Sequence, residues 1–333
     1  MYLDPSTEDR GYSAIEASIA EHFKMKNLFL YVLTVAIWGS TWYAITLQLN
    51  QVPTQVSVAY RFALATLILL VWCRLRRISL RFSRTEHLLL LLLGLTLFSA
   101  NYVLFYEAEK YLVSGSVAII FSLLVVFNIF NNWFFFRSRP NRQVVVGAAL
   151  GLSGIVLTFW PDLHDISSGW QSVRGILLSL AATFVASLGN SISAQLQKRR
   201  IAVVPANAFG MLYGTIIILG YALFSGARFS FDLSFGYIGS LVYLALFGSV
   251  IAFGAYLTLI GRIGSDRAAY TSILFPIVAL VLSAALEHYR LNLSAASGIA
   301  CILAGNALVL LRRRHTVVAG PTPKVEASAE SAD

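Results

Sequence analysis

The 333-residue chain is 57% hydrophobic and only 12% charged, with a formal net charge of +9. A soluble globular protein keeps about a quarter of its residues charged and spreads them over every outer face. Here the charges avoid the long apolar runs and gather between them, which excludes a soluble fold and a nucleic-acid-binding role and makes the chain an all-α integral membrane protein.

Residues 1–27 form a polar, cytoplasmic N-terminal tail with Asp4, Glu8, Asp9, Glu16 and Glu21, read as a tail or a short surface helix. Met25-Lys26-Asn27-Leu28 looks like a natural start for the first span, which leaves open whether the preceding residues are dispensable. The apolar run that follows is too long for a signal-peptide core and lacks a small-x-small cleavage site. Ten apolar runs succeed one another. The first five are Leu28–Leu47, Thr54–Trp72, Leu88–Phe105, Leu112–Phe136 and Val144–Trp160. The next five are Gly175–Leu196, Ala206–Phe224, Gly236–Leu257, Ala268–Leu286 and Leu293–Leu311. Each approaches the ~20 residues with which a helix crosses a bilayer. A basic and polar C-terminal tail, 312–333, is expected to be disordered.

The gap between the second and third runs holds Arg74, Arg76, Arg77, Arg81 and Arg84, and positive loops that short stay in the cytoplasm. Every second gap repeats the pattern, with Lys24 and Lys26; Arg137, Arg139 and Arg142; Lys198, Arg199 and Arg200; Arg262 and Arg267; and Arg312, Arg313 and Arg314. The intervening gaps carry only Lys110, Arg174, Arg228 and Arg290. The excess of positive charge is thus an orientation signal, and both termini are expected in the cytoplasm of a bacterial-type inner membrane.

The two halves repeat. Gly147 and Gly154 in the fifth run recur as Gly298 and Gly305 in the tenth. Gly39-Ser40-Thr41 recurs as Gly189-Asn190-Ser191, Val52-Pro53 as Val204-Pro205, and Tyr106 as Tyr256. A repeat with an odd number of spans enters the membrane from the opposite side in its second copy. The expected architecture is therefore two inverted five-helix repeats, 28–160 and 175–311. Inverted repeats are a design of secondary transporters, whose substrate site lies near the bilayer midplane between the halves.

Several stretches carry a family resemblance. Ala36-Ile37-Trp38-Gly39-Ser40-Thr41-Trp42 resembles the opening signature of the EamA-type drug/metabolite transporters, and Tyr60-Arg61-Phe62-Ala63-Leu64-Ala65 resembles their second helix. Gly261-Arg262-Ile263-Gly264-Ser265-Asp266-Arg267-Ala268-Ala269, followed by Phe275-Pro276 and Leu286-Glu287, is similar to their ninth-helix region. The chain departs from the pattern at Val125, where a proline matching Pro276 is usual, and at Phe136-Arg137, where a glutamate matching Glu287 is common. The resemblance implies ten helices around a central cavity and export of small metabolites such as amino acids.

Among residues with candidate roles, Trp38, Ser40, Trp42 and Tyr43 come first. They lie about ten residues into the first run, ~15 Å deep, where interfacial anchoring does not explain a tryptophan. They either line a cavity or serve close helix packing through Gly39 and Ser40. Arg61 sits ~10 Å inside the second run, where a charge costs a few kcal/mol unless paired or wetted. It snorkels, pairs structurally, or attracts an anionic group such as a substrate carboxylate. Asn101, Tyr102, Phe105 and Tyr106 lie toward the outer end of the third run and Tyr256 near the inner end of the eighth, the tyrosines as belt residues or as gates. Asn190, with Ser191 and Ser193, is a cavity candidate in the sixth run. Asn128, Asn131 and Asn132 share one face of the fourth run, as interhelical glue or a polar lining. Ser272 and Pro276 mark a kink in the ninth, or a hinge. The small-residue faces of the fifth and tenth runs are scaffold, within one chain or across a homodimer.

No Asp or Glu falls in the middle of any run: Glu107, Glu109 and Glu287 lie at outer ends and Asp266 at an inner one. A carboxylate-driven antiporter is disfavoured unless Glu107 lies deeper. His22, His87, His164, His288 and His315 are in tails or at span edges, and Cys73 and Cys301 give no disulfide framework, so no metal site is expected. There is no Gly-rich phosphate loop and no nucleophile–base pair at one depth, so neither ATP-driven transport nor an enzyme is expected, and no cofactor. The expected function is a non-ATP secondary exporter of amino acids or related partly apolar metabolites by alternating access, with a small-molecule substrate and the lipid bilayer as partners. A multidrug exporter of broad specificity is the alternative. A receptor or sensor is less favoured, because the loops are too short to hold a signalling domain.

Overall fold

The computed structural model describes residues 5–50, 52–136, 142–164, 169–263, 268, 271–289 and 291–311, and among them every regular element is a helix. The first half contains α1 (Pro5–Thr46), α2 (Thr54–Leu75), α3 (Arg84–Leu95), a π-helical turn π1 (Thr96–Ala100) and α4 (Asn101–Ala108). It continues with α5 (Ser114–Phe121), α6 (Leu124–Phe136) and α7 (Arg142–His164). The second half contains α8 (Gly169–Lys198), α9 (Val203–Phe224), α10 (Phe235–Tyr243), a second π-helical turn π2 (Leu244–Ile251) and α11 (Ala252–Ile263). It ends with α12 (Thr271–Leu286) and α13 (Leu293–Leu311).

Seven stretches are long and apolar enough to cross a bilayer, beginning with Met25–Thr46 inside α1. Val145–Trp160, Thr271–Leu286 and Leu293–Leu308 are shorter and reach ~24 Å at 1.5 Å per residue. The candidate spans and the shorter apolar helices together make the chain a multi-pass membrane protein. The tail before Met25 continues the helix of the first span from Pro5 onward. Arg137, Arg139, Arg290, the Gly264–Arg267 part of the ninth-span motif, Arg312–Arg314 and the tail 312–333 lie outside the described residues.

Local chemistry sets the ends of the basic loop. Arg77 takes a φ of 52°, and the Ile78 N–H then reaches back to the Cys73 carbonyl at 2.9 Å, closing α2. Ser83 opens α3 with a capping box, its N–H donating to Glu86 Oε2 at 2.6 Å while its Oγ accepts from the Glu86 N–H at 3.4 Å.

The packing exchanges the halves. α1 packs on α11 and α12, spans eight and nine; α8 packs on α4, α5 and α6, spans three and four. α2 packs on α9 and α7 on α13, pairing spans two with seven and five with ten. The fifth and tenth spans approach through their glycines. A Cβ on Gly154 would stand 2.6 Å from the Gly298 carbonyl oxygen, and one on Gly305 would stand 2.5 Å from that of Gly147. These small-residue faces therefore close a seam within one chain, the alternative that sequence left open.

Two departures from the expected spans matter. The fourth run is not one helix: it breaks at Ser122-Leu123, between α5 and α6. The Ser122 hydroxyl donates to the Ile119 carbonyl at 2.6 Å, competing with the helical ladder. Nδ2 of Asn306, from the tenth span, donates to the Ser122 carbonyl at 3.0 Å. The third and eighth spans instead stay continuous but each contains a π-helical turn, a feature that often marks functional sites. Asn131 donates to Ser187 Oγ at 2.8 Å, joining spans four and six as interhelical glue; the Asn132 side chain lies outside the described residues.

Candidate functional site

Helices of both halves border a cavity with an empty volume of about 630 Å³ counting its open mouth. Its wall comes from both halves: Trp38, Thr41, Trp42 and Ile45 of α1, Arg61 of α2, Leu97 of π1, Asn101, Tyr102 and Phe105 of α4, Phe121 of α5 and Leu124 of α6. Ala186 and Asn190 of α8, Phe253 and Tyr256 of α11, and Phe275 of α12 complete it.

Trp38, Thr41, Trp42 and Ile45 follow the three-and-four spacing of one helix face, which is why they share the wall. Gly39 brings α1 against α12 at the proline: a Cβ there would stand 2.5 Å from Val278 Cβ and 3.1 Å from the Phe275 carbonyl oxygen. The Trp42 ring stacks on Phe275 at 6.3 Å and meets Phe105 edge-on at 5.2 Å. Trp38 meets Phe253 at 5.1 Å and Tyr256 at 4.8 Å. The indole N–H of Trp38 donates to the Gly248 carbonyl in π2 at 3.3 Å. Among the described residues the buried indole nitrogen of Trp42 has no hydrogen-bond partner, and neither has Oδ1 of Asn101. Two polar atoms of wall residues are thus left without a hydrogen bond, a condition that burial makes unfavourable.

Arg61 is only 1% exposed. Its Nε–H donates to Ser249 Oγ at 3.0 Å, its Nη1 donates to the Tyr106 hydroxyl at 3.4 Å, and its guanidinium lies 4.6 Å from the centre of the Tyr102 ring. A glycine stands opposite it: a Cβ on Gly248 would stand 2.8 Å from Thr41 Cγ2 and 3.1 Å from Arg61 Nη2. Among the described residues no carboxylate lies within ion-pair distance of Arg61; the ion pair present is Lys110 with Glu107. A buried cation held by hydroxyls and a ring, without a counter-ion, leaves the cavity electropositive.

Of the residues expected at the site, Trp38, Trp42, Arg61, Asn101, Tyr102, Asn190 and Tyr256 line the cavity. Ser40, Tyr43, Tyr106 and Ser272 do not. Ser40 and Tyr43 fall on the other side of α1, where Ser40 Oγ and the Tyr243 hydroxyl share a hydrogen bond of 2.6 Å. Tyr106 stands behind Arg61, its hydroxyl donating to Gln48 Oε1 at 3.0 Å, and Ser272 is buried within α12 outside the wall. Tyr106 and Tyr256 are both buried, so neither is an interfacial belt residue. Ser191 and Ser193 also stand off the wall. Sequence reasoning missed Phe253, Phe275 and Phe121 as wall residues, because a phenylalanine in an apolar run carries no contrast with its neighbours. The acids expected at outer span ends differ in exposure. Glu107 is partly exposed and bonded to Lys110 at 2.7 Å, while Glu109 is the one that is buried.

Comparison with known proteins agrees with this architecture. The sequence profile of the EamA-like transporter family matches twice, over residues 25–160 and 173–311. A protein named "Probable amino-acid metabolite efflux pump" from Salmonella typhimurium is 25% identical over 84% of this chain and 93% of its own length. One of the same name from Escherichia coli is 25% identical over 80% of this chain and 89% of its own. An "Uncharacterized inner membrane transporter YedA" of Escherichia coli is 27% identical over 77% of this chain and 81% of its own. A crystal structure of a protein at 17% identity superposes with a TM-score of 0.63 over 86% of this chain and 98% of that one, a likeness of fold.

Proposed function

Because this chain belongs to the EamA-like transporter family, we propose that it exports small, partly apolar carboxylates of the amino-acid type through the cavity around Arg61. The observation that carries this reading is a fully buried guanidinium with no carboxylate partner among the described residues, set in a wall of aromatic rings. Such a site offers an anionic group its counter-ion and an apolar side chain its contacts. Asn101 Oδ1 is an acceptor for an ammonium group, and the Trp42 indole N–H is a further donor. The names of the amino-acid efflux relatives point the same way.

Transport proceeds by alternating access between two inverted five-helix halves, 28–160 and 175–311, in an inner membrane with both termini in the cytoplasm. The exchange-related packing of α1 and α8 and the alternation of basic loops support that arrangement. The substrate-binding residues are Trp38, Trp42, Arg61, Asn101, Tyr102, Asn190 and Tyr256, with Tyr106 and Ser249 positioning Arg61. The wall is otherwise so aromatic that a multidrug exporter is the second reading. The fixed cation and the two unsatisfied polar atoms favour the narrower one.

Counterflow in proteoliposomes tests both. Preloaded with a panel of amino acids, their decarboxylated amines and organic cations, vesicles are expected to accumulate label only for carboxylates. Accumulation driven equally by amines and cations would support the multidrug reading, and binding without flux would support a receptor.

A further inference from the structure

Glu109 lies just beyond the end of the third span, is 6% exposed, and among the described residues has no hydrogen-bond partner on either carboxylate oxygen. The neighbouring acids are satisfied. Glu107 pairs with Lys110, and Glu287 accepts from the Ser114 backbone N–H at 3.2 Å and from the Ser114 hydroxyl at the first turn of α5. An ionised carboxylate buried without a donor is strongly disfavoured, so Glu109 carries a proton in this conformation. Burial first and the Glu287 carboxylate second hold its carboxyl well above the usual carboxylate range, while Arg61 pulls it down.

The link to the cavity is short. Glu109 follows Tyr106 by three residues, one turn further out on the same side of the chain. Tyr106 in turn joins Arg61 Nη1 to Gln48 Oε1, and Gln48 Nε2 is itself buried without a partner. Among the described residues, the charged and titratable groups acting on Glu109 are Arg61 from α2, Tyr106 from α4 and Glu287 beyond α12. Lys110 is engaged by Glu107, and Arg174 of α8 is exposed and lies over the Tyr111 ring at 4.9 Å.

We propose that Glu109 is a proton-binding site linked to Arg61, so that a proton and the carboxylate of the cargo bind together. The cargo half of this proposal rests on the carboxylate reading of the cavity. A carboxylate seated on Arg61 neutralises the one cation that favours ionised Glu109, and raises its affinity for the proton. Linkage is reciprocal, so a proton on Glu109 raises the affinity of Arg61 for the cargo by the same factor. The proton then travels with the cargo, which suits efflux driven by the cargo's own outward gradient.

Infrared difference titration of the full-length protein in lipid nanodiscs reads the protonated carboxyl directly, with its band assigned by loss in Glu109→Gln. The midpoint is expected well above that of an exposed carboxylate. Arg61→Gln is expected to move it up by about one pH unit or more, and Arg61→Lys, which keeps the charge, to leave it near wild type. Arg61→Met serves where the Gln variant does not fold. Benzoate, an apolar carboxylate probe, is expected to move the wild-type midpoint up and leave that of Arg61→Gln unchanged. An exposed-type midpoint, or one indifferent to removal of the Arg61 charge, overturns the proposal. A midpoint that responds to Arg61→Gln but not to benzoate keeps the proton site and overturns the carboxylate reading of the cavity.

Discussion

The Nε–H of Arg61 donates to Ser249 Oγ at 3.0 Å, across 188 residues, and the same hydroxyl donates to the Leu244 carbonyl at 3.0 Å. The cation of one half is thereby fixed to the π-helical turn of the other. A guanidinium held this way loses less freedom when a carboxylate binds it. Ser249→Ala removes one charge-assisted hydrogen bond, a change of about 1.5–3 kcal/mol. Affinity for a carboxylate cargo is expected to fall ~10-fold or more, measured by equilibrium binding. Unchanged affinity would mean that Ser249 does not position Arg61.

Gly248 answers to the same turn. A methyl group there meets Thr41 Cγ2 and Arg61 Nη2, and both are held by the wall. Gly248→Ala is expected to lower transport sharply, because the added methyl group presses on α1 at Thr41 and on the Arg61 guanidinium. Wild-type counterflow rates in Gly248→Ala vesicles would count against this placement of Arg61.

Trp42→Phe keeps the ring contacts with Phe105 and Phe275 but deletes an indole N–H that has no partner. Without cargo the change is expected to be neutral or to stabilise the protein, since a buried unsatisfied donor is removed. Cargo affinity is expected to drop at the same time. Thermal unfolding with and without cargo separates the two effects, and equal loss in both conditions would mark Trp42 as packing alone.

Stability should depend on pH through Glu109. Its folded carboxyl holds the proton more tightly than an unfolded one, whose pKa is ~4.3. Folded protein therefore binds more protons from that value up to the raised one, and stability falls as pH rises through the window. Glu109→Gln is expected to be more heat-stable than wild type at alkaline pH and to lose that advantage below pH ~4. A constant difference across the range would mean that Glu109 titrates normally.

Asn306 supports the broken fourth span, with Nδ2 donating to both the carbonyl and the hydroxyl oxygen of Ser122 at 3.0 Å. Asn306→Leu leaves a buried carbonyl unpaired, at a cost of about 1–3 kcal/mol. A fall in unfolding temperature of several degrees is expected, together with loss of transport if the break shapes the cavity wall. An unaltered melting curve would show that the break holds itself.

Much of this was legible in one dimension. The helical class, the alternation of basic loops and the pairing of equivalent residues between halves all follow from local composition, since lipid admits only apolar helices with their charges outside. Trp38, Trp42, Arg61 and Asn101 stood out because each is unusual at its depth. Ser40 and Tyr43 fall outside the cavity wall because a residue in a helix points to one face only, and the choice of face is made by what packs there.

Sequence by itself determined how many apolar segments exist, which ends carry the positive charge and that the two halves are copies. Local energetics decide those features, residue by residue. Only the tertiary structure decided that the small-residue faces of the fifth and tenth spans meet within one chain and that seven spans converge on one aromatic wall. It alone decided that Arg61 has no counter-ion among the described residues and that Glu109, rather than Glu107, is withdrawn from water. Burial and pairing belong to relations between segments far apart in the chain, and no window along it contains both partners.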